Sequence, residues 1–151
     1  MSFSDRLKRA RTARGLSQRA LAELSGVHQP TIAAIEAGRR EPSAAARHAL
    51  EQALRIRPSE ALKAHRDEIL DAIERHYGAD PHVIGSVARG TDTLDSDLDL
   101  MVTFLPGTTD LIDLMDLMDE LADITGVSVD IVSGRAAGAV AEHARAEAVP
   151  L

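Results

Sequence analysis

Residues 85–102 read GSVARGTDTLDSDLDLMV. Four aspartates fall between Asp92 and Asp99, and two of them, Asp97 and Asp99, stand at alternate positions of an apolar run made by Leu98, Leu100, Met101 and Val102. Such a run reads as a strand over about 97–104, ended by Pro106 and Gly107. Alternation sends Asp97 and Asp99 to one face and Leu98 and Leu100 to the other, with about 7 Å between alternate Cα atoms. Charges seldom enter an apolar strand without a partner. A hard cation that takes oxygen ligands, such as magnesium, suits a carboxylate pair. Asp130 lies in a second apolar segment, VSVDIVS at 127–133. If the two strands are neighbours, three carboxylates converge, which is the ligand supply for metal ions that clamp a phosphoryl transfer. Asp92 and Asp95 are read as acids of a solvated loop.

Around this stretch, helical and extended segments alternate, which indicates an α/β arrangement. A helix is expected over about 59–76, with Leu62, Ile69, Leu70 and Ile73 as its apolar stripe and Ser59 as its cap. A short strand follows at 82–84, and Gly85-Ser86 reads as a turn. A helix over about 110–125 carries Leu111, Leu114, Leu117, Met118 and Leu121 on one face, with Asp113, Asp116, Asp119, Glu120 and Asp123 facing out. After the strand at 127–133, a last helix spans about 136–148. Three strands are expected in all.

The preceding residues have another character. Residues 4–55 read as four short helices joined by Gly15, Gly26 and Gly38, with Leu7, Leu21, Leu24, Ile32 and Ile35 turned inward. Ser17 is a plausible N-cap for the second. Charge divides the same way. Residues 1–57 carry eleven Lys+Arg and five Asp+Glu, a net +6, whereas residues 58–151 carry six and nineteen, a net −13; the sum is the −7 of the whole chain. The first part could meet a polyanion, and the second would repel one unless metal ions intervene. Domain boundaries of 1–57 and 58–151 follow, with Arg57-Pro58-Ser59 as the joint.

The chain has 151 residues and no cysteine, which excludes disulfides, zinc–thiolate sites and thiol nucleophiles. The charged start MSFSDRLKRARTARG has no signal-peptide character, and no apolar run reaches the ~18 residues of a membrane span. A cytoplasmic location without membrane contact is expected. The six histidines show no metal-ligand spacing, and His82 is read as a surface residue.

SQRALAELSGVHQPTIAAIEAGRREPS, residues 17–43, resembles the Xre/Cro type of helix-turn-helix. The resemblance implies that the third helix enters the major groove of operator DNA. Gln18, His28, Gln29 and Thr31 would then lie near bases, and Arg19, Arg39 and Arg40 near phosphates. A dimer on a palindrome is expected. A small helical docking domain is the competing reading, since Ala33 and Ala34 occupy positions where a base reader could offer polar groups.

Gly85-Ser86, ten residues, then Asp97-Leu98-Asp99 is similar to the signature of the polymerase-β-like nucleotidyltransferases, and the short form here resembles the minimal nucleotidyltransferases. The ending AEAVPL, residues 146–151, is also typical of them. The resemblance implies an all-α helix-turn-helix domain followed by an α/β (α+β) nucleotidyltransferase domain with a small mixed sheet. Gly85 and Ser86 would hold a nucleoside triphosphate, with Arg89 neutralising phosphate charge. Asp97, Asp99 and Asp130 would be the catalytic carboxylates and bind Mg2+, and ATP would be the substrate. Within that group, such domains act as antitoxins that transfer AMP to a tyrosine of a HEPN-type ribonuclease toxin. The helix-turn-helix implies repression of the chain's own operon. Two rivals stand beside this reading: a repressor or antitoxin that neutralises by binding alone, and a small-molecule nucleotidyltransferase.

Overall fold

A computed structural model of the chain describes residues 2–151. They form two compact units that divide between Arg55 and Ile56.

The first unit contains α1 (Phe3–Ala13), α2 (Gln18–Ser25), α3 (Gln29–Glu36) and α4 (Ala44–Ala53). Each start has a local cause. Ser2, Ser17 and Ser43 accept hydrogen bonds from the Asp5, Ala20 and Ala46 N–H groups, satisfying donors that the first helical turn leaves open. Pro30 sits in the first turn of α3, where its missing N–H costs nothing. Leu7, Leu21, Ile32, Ile35, Leu50 and Leu54 close a core of their own. Leu24, expected inside, is 59% exposed, because only one side of the eight-residue α2 meets that core.

The second unit contains α5 (Pro58–Arg75), β1 (Gly78–Ile84), α6 (Gly85–Arg89), β2 (Leu98–Phe104), α7 (Leu111–Thr125), β3 (Val129–Ser133), α8 (Ala139–Glu147) and β4 (Val149–Pro150). The sheet has four strands in the order β3-β2-β1-β4, one more than the sequence predicts. β1 runs antiparallel to β2 and β4, and β2 runs parallel to β3, so α7 serves as the crossover that parallel neighbours require. Alternation then sorts the faces. Leu98, Leu100 and Val102 join Ile69, Ile73, Leu117 and Leu121 in the main core, while Met101 and Ile84 turn to the other face with Ala144 of α8. Burial of the first set, at about 1.5–3 kcal/mol per large side chain, fixes the register, because a one-residue slip would exchange the faces.

Several expectations change. Gly85-Ser86 opens a short helix. Leu111 is 71% exposed because it opens α7, well before its first buried leucine, Leu117. Glu120 does not simply face out: it binds Arg75 at the end of α5 and His76, the residue that follows, each at 2.7 Å; burial raises its carboxyl, but these bonds outweigh it and hold the group below the ordinary range. Asp92 is not solvated at all. It is 3% exposed and accepts the Ser59 N–H at 2.9 Å. Ser59 is therefore the residue being capped, and a carboxylate from 33 positions along the chain does the capping. No described helix is long and apolar enough to cross a membrane.

Candidate functional site

The sheet places Asp99 and Asp130 side by side. Asp99 is the second residue of β2, and its Cα partner in the parallel β3 is Asp130. Both fall on the face away from Leu98 and Leu100, as period-two alternation requires. On the other side of β2, Asp99 is paired with Ile84, the last residue of β1. Gly85 therefore turns out of the sheet beside it, with φ of +69°, a conformation that glycine adopts without strain. Ser86 follows in α6, and its carbonyl accepts the Thr91 N–H at 2.9 Å. Arg89 closes the same five-residue helix.

The electrostatics are those of crowded anions. Asp99 is half-buried. Burial pushes its carboxyl above the ordinary value, and the charges of Asp130 and Asp97 push it further, against a smaller opposing effect of Arg89. Asp97 is exposed and precedes β2 by one residue. This departs from the expected convergence: among the described residues, no three His, Cys, Asp or Glu side chains stand close enough together to hold a metal ion. The arrangement is two carboxylates in register with a third in electrostatic reach. That donor set still fits magnesium, which keeps several waters and is usually held by one or two carboxylates together with substrate phosphates. A divalent cation would also relieve the repulsion that Asp99 carries.

One residue at this edge escaped the sequence reading. Glu147, the last residue of α8, accepts the Gly85 N–H at 2.9 Å and an Arg89 N–H at 2.8 Å. These two bonds, the Arg89 bond first, hold its carboxyl below the ordinary range. Glu147 lies 62 residues from Gly85, and no spacing pattern could have linked them.

In the first unit, the residues expected at DNA separate into two groups. His28, Arg19, Arg39 and Arg40 are exposed. Gln18 and Gln29 instead belong to an internal chain of hydrogen bonds. Arg11 grips Glu36 through two N–H groups at 2.6 and 2.9 Å, Gln18 donates to Glu36 at 2.9 Å, and Gln29 donates to Gln18 at 2.9 Å. Burial raises the Glu36 carboxyl, but the bonds from Arg11 and Gln18 outweigh it and the net shift is downward. This chain ties α1, α2 and α3 together, so the two glutamines have a structural task whatever they touch outside. Thr31 is half-buried within α3.

Comparison with known proteins finds a family model in each part of the chain. Residues 7–60 match the helix-turn-helix family model, and residues 66–147 match that of the nucleotidyltransferase domain. A solved structure that carries the provisional name of minimal nucleotidyltransferase is 44% identical, with a TM-score of 0.55 over 62% of this chain and 95% of its own. No curated protein matches the chain. With the β2–β3 carboxylates, the Gly85 turn and a match spanning residues 66–147, the chain belongs to the nucleotidyltransferase domain family and carries an Xre-type helix-turn-helix ahead of that domain.

Proposed function

We propose that the chain is an antitoxin that transfers AMP from ATP to a hydroxyl, a tyrosine hydroxyl above all, of a partner toxin, and that represses its own operon through the helix-turn-helix. The observation that carries the catalytic part is the register pair Asp99–Asp130 set beside Gly85 and Arg89. A site for moving a nucleotide needs donors for phosphate next to carboxylates for cations and protons, and this edge supplies both.

In this reading the Gly85 N–H, the Ser86 hydroxyl and the Arg89 guanidinium bind and orient the triphosphate. Asp97, Asp99 and Asp130 would hold Mg2+, which when bound supplies charge neutralisation for the phosphates. Asp130 is exposed and can reach an incoming hydroxyl as proton acceptor. A tyrosine hydroxyl has a reference pKa near about 10 and is a weak nucleophile at neutral pH, so removal of its proton matters. The hydroxyl oxygen bonds to the α-phosphorus, the bond to the bridging oxygen breaks, and pyrophosphate leaves with the electron pair.

A protein acceptor is favoured over a small molecule by the surface of the second unit. Leu105, Leu111, Ile112 and Met115 are 62, 71, 68 and 53% exposed, and clustered exposed apolar side chains mark protein contact surfaces. A HEPN-type ribonuclease is the partner class that the family resemblance implies. An AMP group near a ribonuclease site would add negative charge that repels RNA phosphate.

The deciding experiment incubates the purified chain with ATP, magnesium and the toxin encoded beside it. The toxin should gain mass in whole AMP units, and Asp130→Asn should abolish the gain while leaving DNA binding intact. A toxin of unchanged mass that the Asp130→Asn chain still neutralises would overturn the catalytic reading in favour of neutralisation by binding.

A further inference from the structure

Glu147 meets the two donors that the nucleotide site would need. Its Oε1 accepts the Gly85 N–H at 2.9 Å, and its Oε2 accepts from Arg89 at 2.8 Å. The Glu147 side chain is only 18% exposed, while that of Arg89 is 51% exposed, so the carboxylate is the inner partner of the pair. It also adds a negative charge that Asp99 senses. The residue is held from both sides in the chain. It ends α8, and two positions later β4 begins and pairs Val149 with Val83 and Pro150 with His82. Glu147 is thus delivered to Gly85 by the same strand that closes the sheet edge.

A carboxylate with one oxygen on a backbone N–H and the other on a guanidinium makes the contacts that a phosphate group makes with such donors. We propose that Glu147 is an internal competitor for the nucleotide's phosphates, taking the Gly85 N–H and Arg89 until a triphosphate displaces it. The proposal rests on the nucleotide-site reading given above. It adds a condition on the ligand: an anion must satisfy both donors and bring a cation that offsets the carboxylates before Glu147 gives way. A triphosphate with a divalent cation meets that condition, and a neutral nucleoside does not. Displacement would also release the end of α8 from Gly85, so that nucleotide occupancy is felt at β4.

The opposite role is that Glu147 merely braces Arg89 in a productive pose, and the two roles predict opposite signs. Calorimetry with two probes, a non-hydrolysable ATP analogue with magnesium and inorganic tripolyphosphate with magnesium, separates them. The wild-type chain is compared with Glu147→Gln, Glu147→Ala and Arg89→Ala, and with Glu147→Gln combined with Arg89→Ala, each checked for an unchanged circular dichroism spectrum. Removal of the competing charge should tighten both probes roughly three- to tenfold in the Glu147→Gln chain. Arg89→Ala should weaken both, and in the double variant the gain should shrink to what competition for the Gly85 N–H alone contributes. Glu147→Ala guards against a glutamine that keeps the Gly85 bond. If both Glu147 variants bind no better than wild type while wild type binds, the competitor role is overturned and the nucleotide site stands. If no chain binds either probe, both are overturned.

Discussion

A Cβ atom built on Gly85 would lie 2.5 Å from Oδ2 of Asp99. The backbone of the Gly85 turn is therefore packed directly on the carboxylate that the site depends on. Gly85 also has φ of +69°, where any other residue is strained. Gly85→Ala should displace Asp99 or the turn itself and destabilise the chain by roughly 1–3 kcal/mol. The expected readout is a lower melting temperature together with loss of magnesium-dependent ATP binding. An alanine variant that melts and binds like wild type would show that the close approach is not needed.

Asp99 should show the opposite balance between stability and function. Its carboxyl is raised by burial and by Asp130 and Asp97. An acid with a folded-state value above its unfolded one costs stability once pH exceeds the unfolded value, in full above the folded value, and nothing below both. Asp99→Asn removes that cost. The variant should be at least as stable as wild type at neutral pH, with any advantage disappearing in acid, and it should lose magnesium-dependent nucleotide binding. Metal affinity of the wild type should itself fall as pH drops through the raised value, since ligands must be deprotonated. Thermal melts across pH, paired with calorimetry, check both halves.

What the sequence could and could not disclose follows from the range of the forces involved. β2 and the Leu98, Leu100 and Val102 face were legible because alternation is a local signal, and so was the Ser17 cap of α2. The parallel pairing that sets Asp99 against Asp130 was readable as a possibility, since both acids interrupt apolar strands. β4 was not, because two residues have no pattern and that strand exists only through pairing with β1. Glu147 and Asp92 were missed for the same reason: their partners lie 62 and 33 residues away. The exposed side of α7 was misjudged because periodicity gives an apolar stripe but not which part of it another element covers.

Asp92 offers a test of a structural acid in the same unit. It is buried, accepts the Ser59 N–H and lies 3.9 Å from an Arg57 nitrogen, while Arg57 donates to its carbonyl. Burial raises its carboxyl, but the Ser59 bonds and the Arg57 charge prevail and lower it. A lowered acid stabilises the fold above its unfolded value, near about 3.9, and that contribution is lost as pH falls through the lower folded value. Asp92→Ala removes the cap of α5 and should cost about 1–2 kcal/mol at neutral pH. Urea unfolding at neutral and acidic pH should show the difference from wild type shrinking in acid.

The last prediction concerns DNA. Residues 1–57 carry a net +6, and the exposed cations Arg19, Arg39 and Arg40 are placed to meet phosphates in the helix-turn-helix reading. Phosphate contacts release counterions, so affinity should fall steeply as salt rises. Arg39→Ala and Arg40→Ala should each weaken binding to all sequences alike and reduce the salt slope by about one. Gln29 requires a subtler expectation, since it donates to Gln18, which in turn donates to Glu36. Gln29→Ala should reduce discrimination between operator and unrelated DNA, and it should also cost some stability by shortening that chain. Glu36→Gln separates the two effects: it weakens the Arg11 grip and reaches the base-facing residues only through Gln18, so it should lower the melting temperature and change sequence preference less than Gln29→Ala does. Titrations against the region upstream of the gene at several salt concentrations supply the slopes. A salt-independent affinity, or an equal loss of preference in both the Gln29 and the Glu36 variants, would place recognition on other residues.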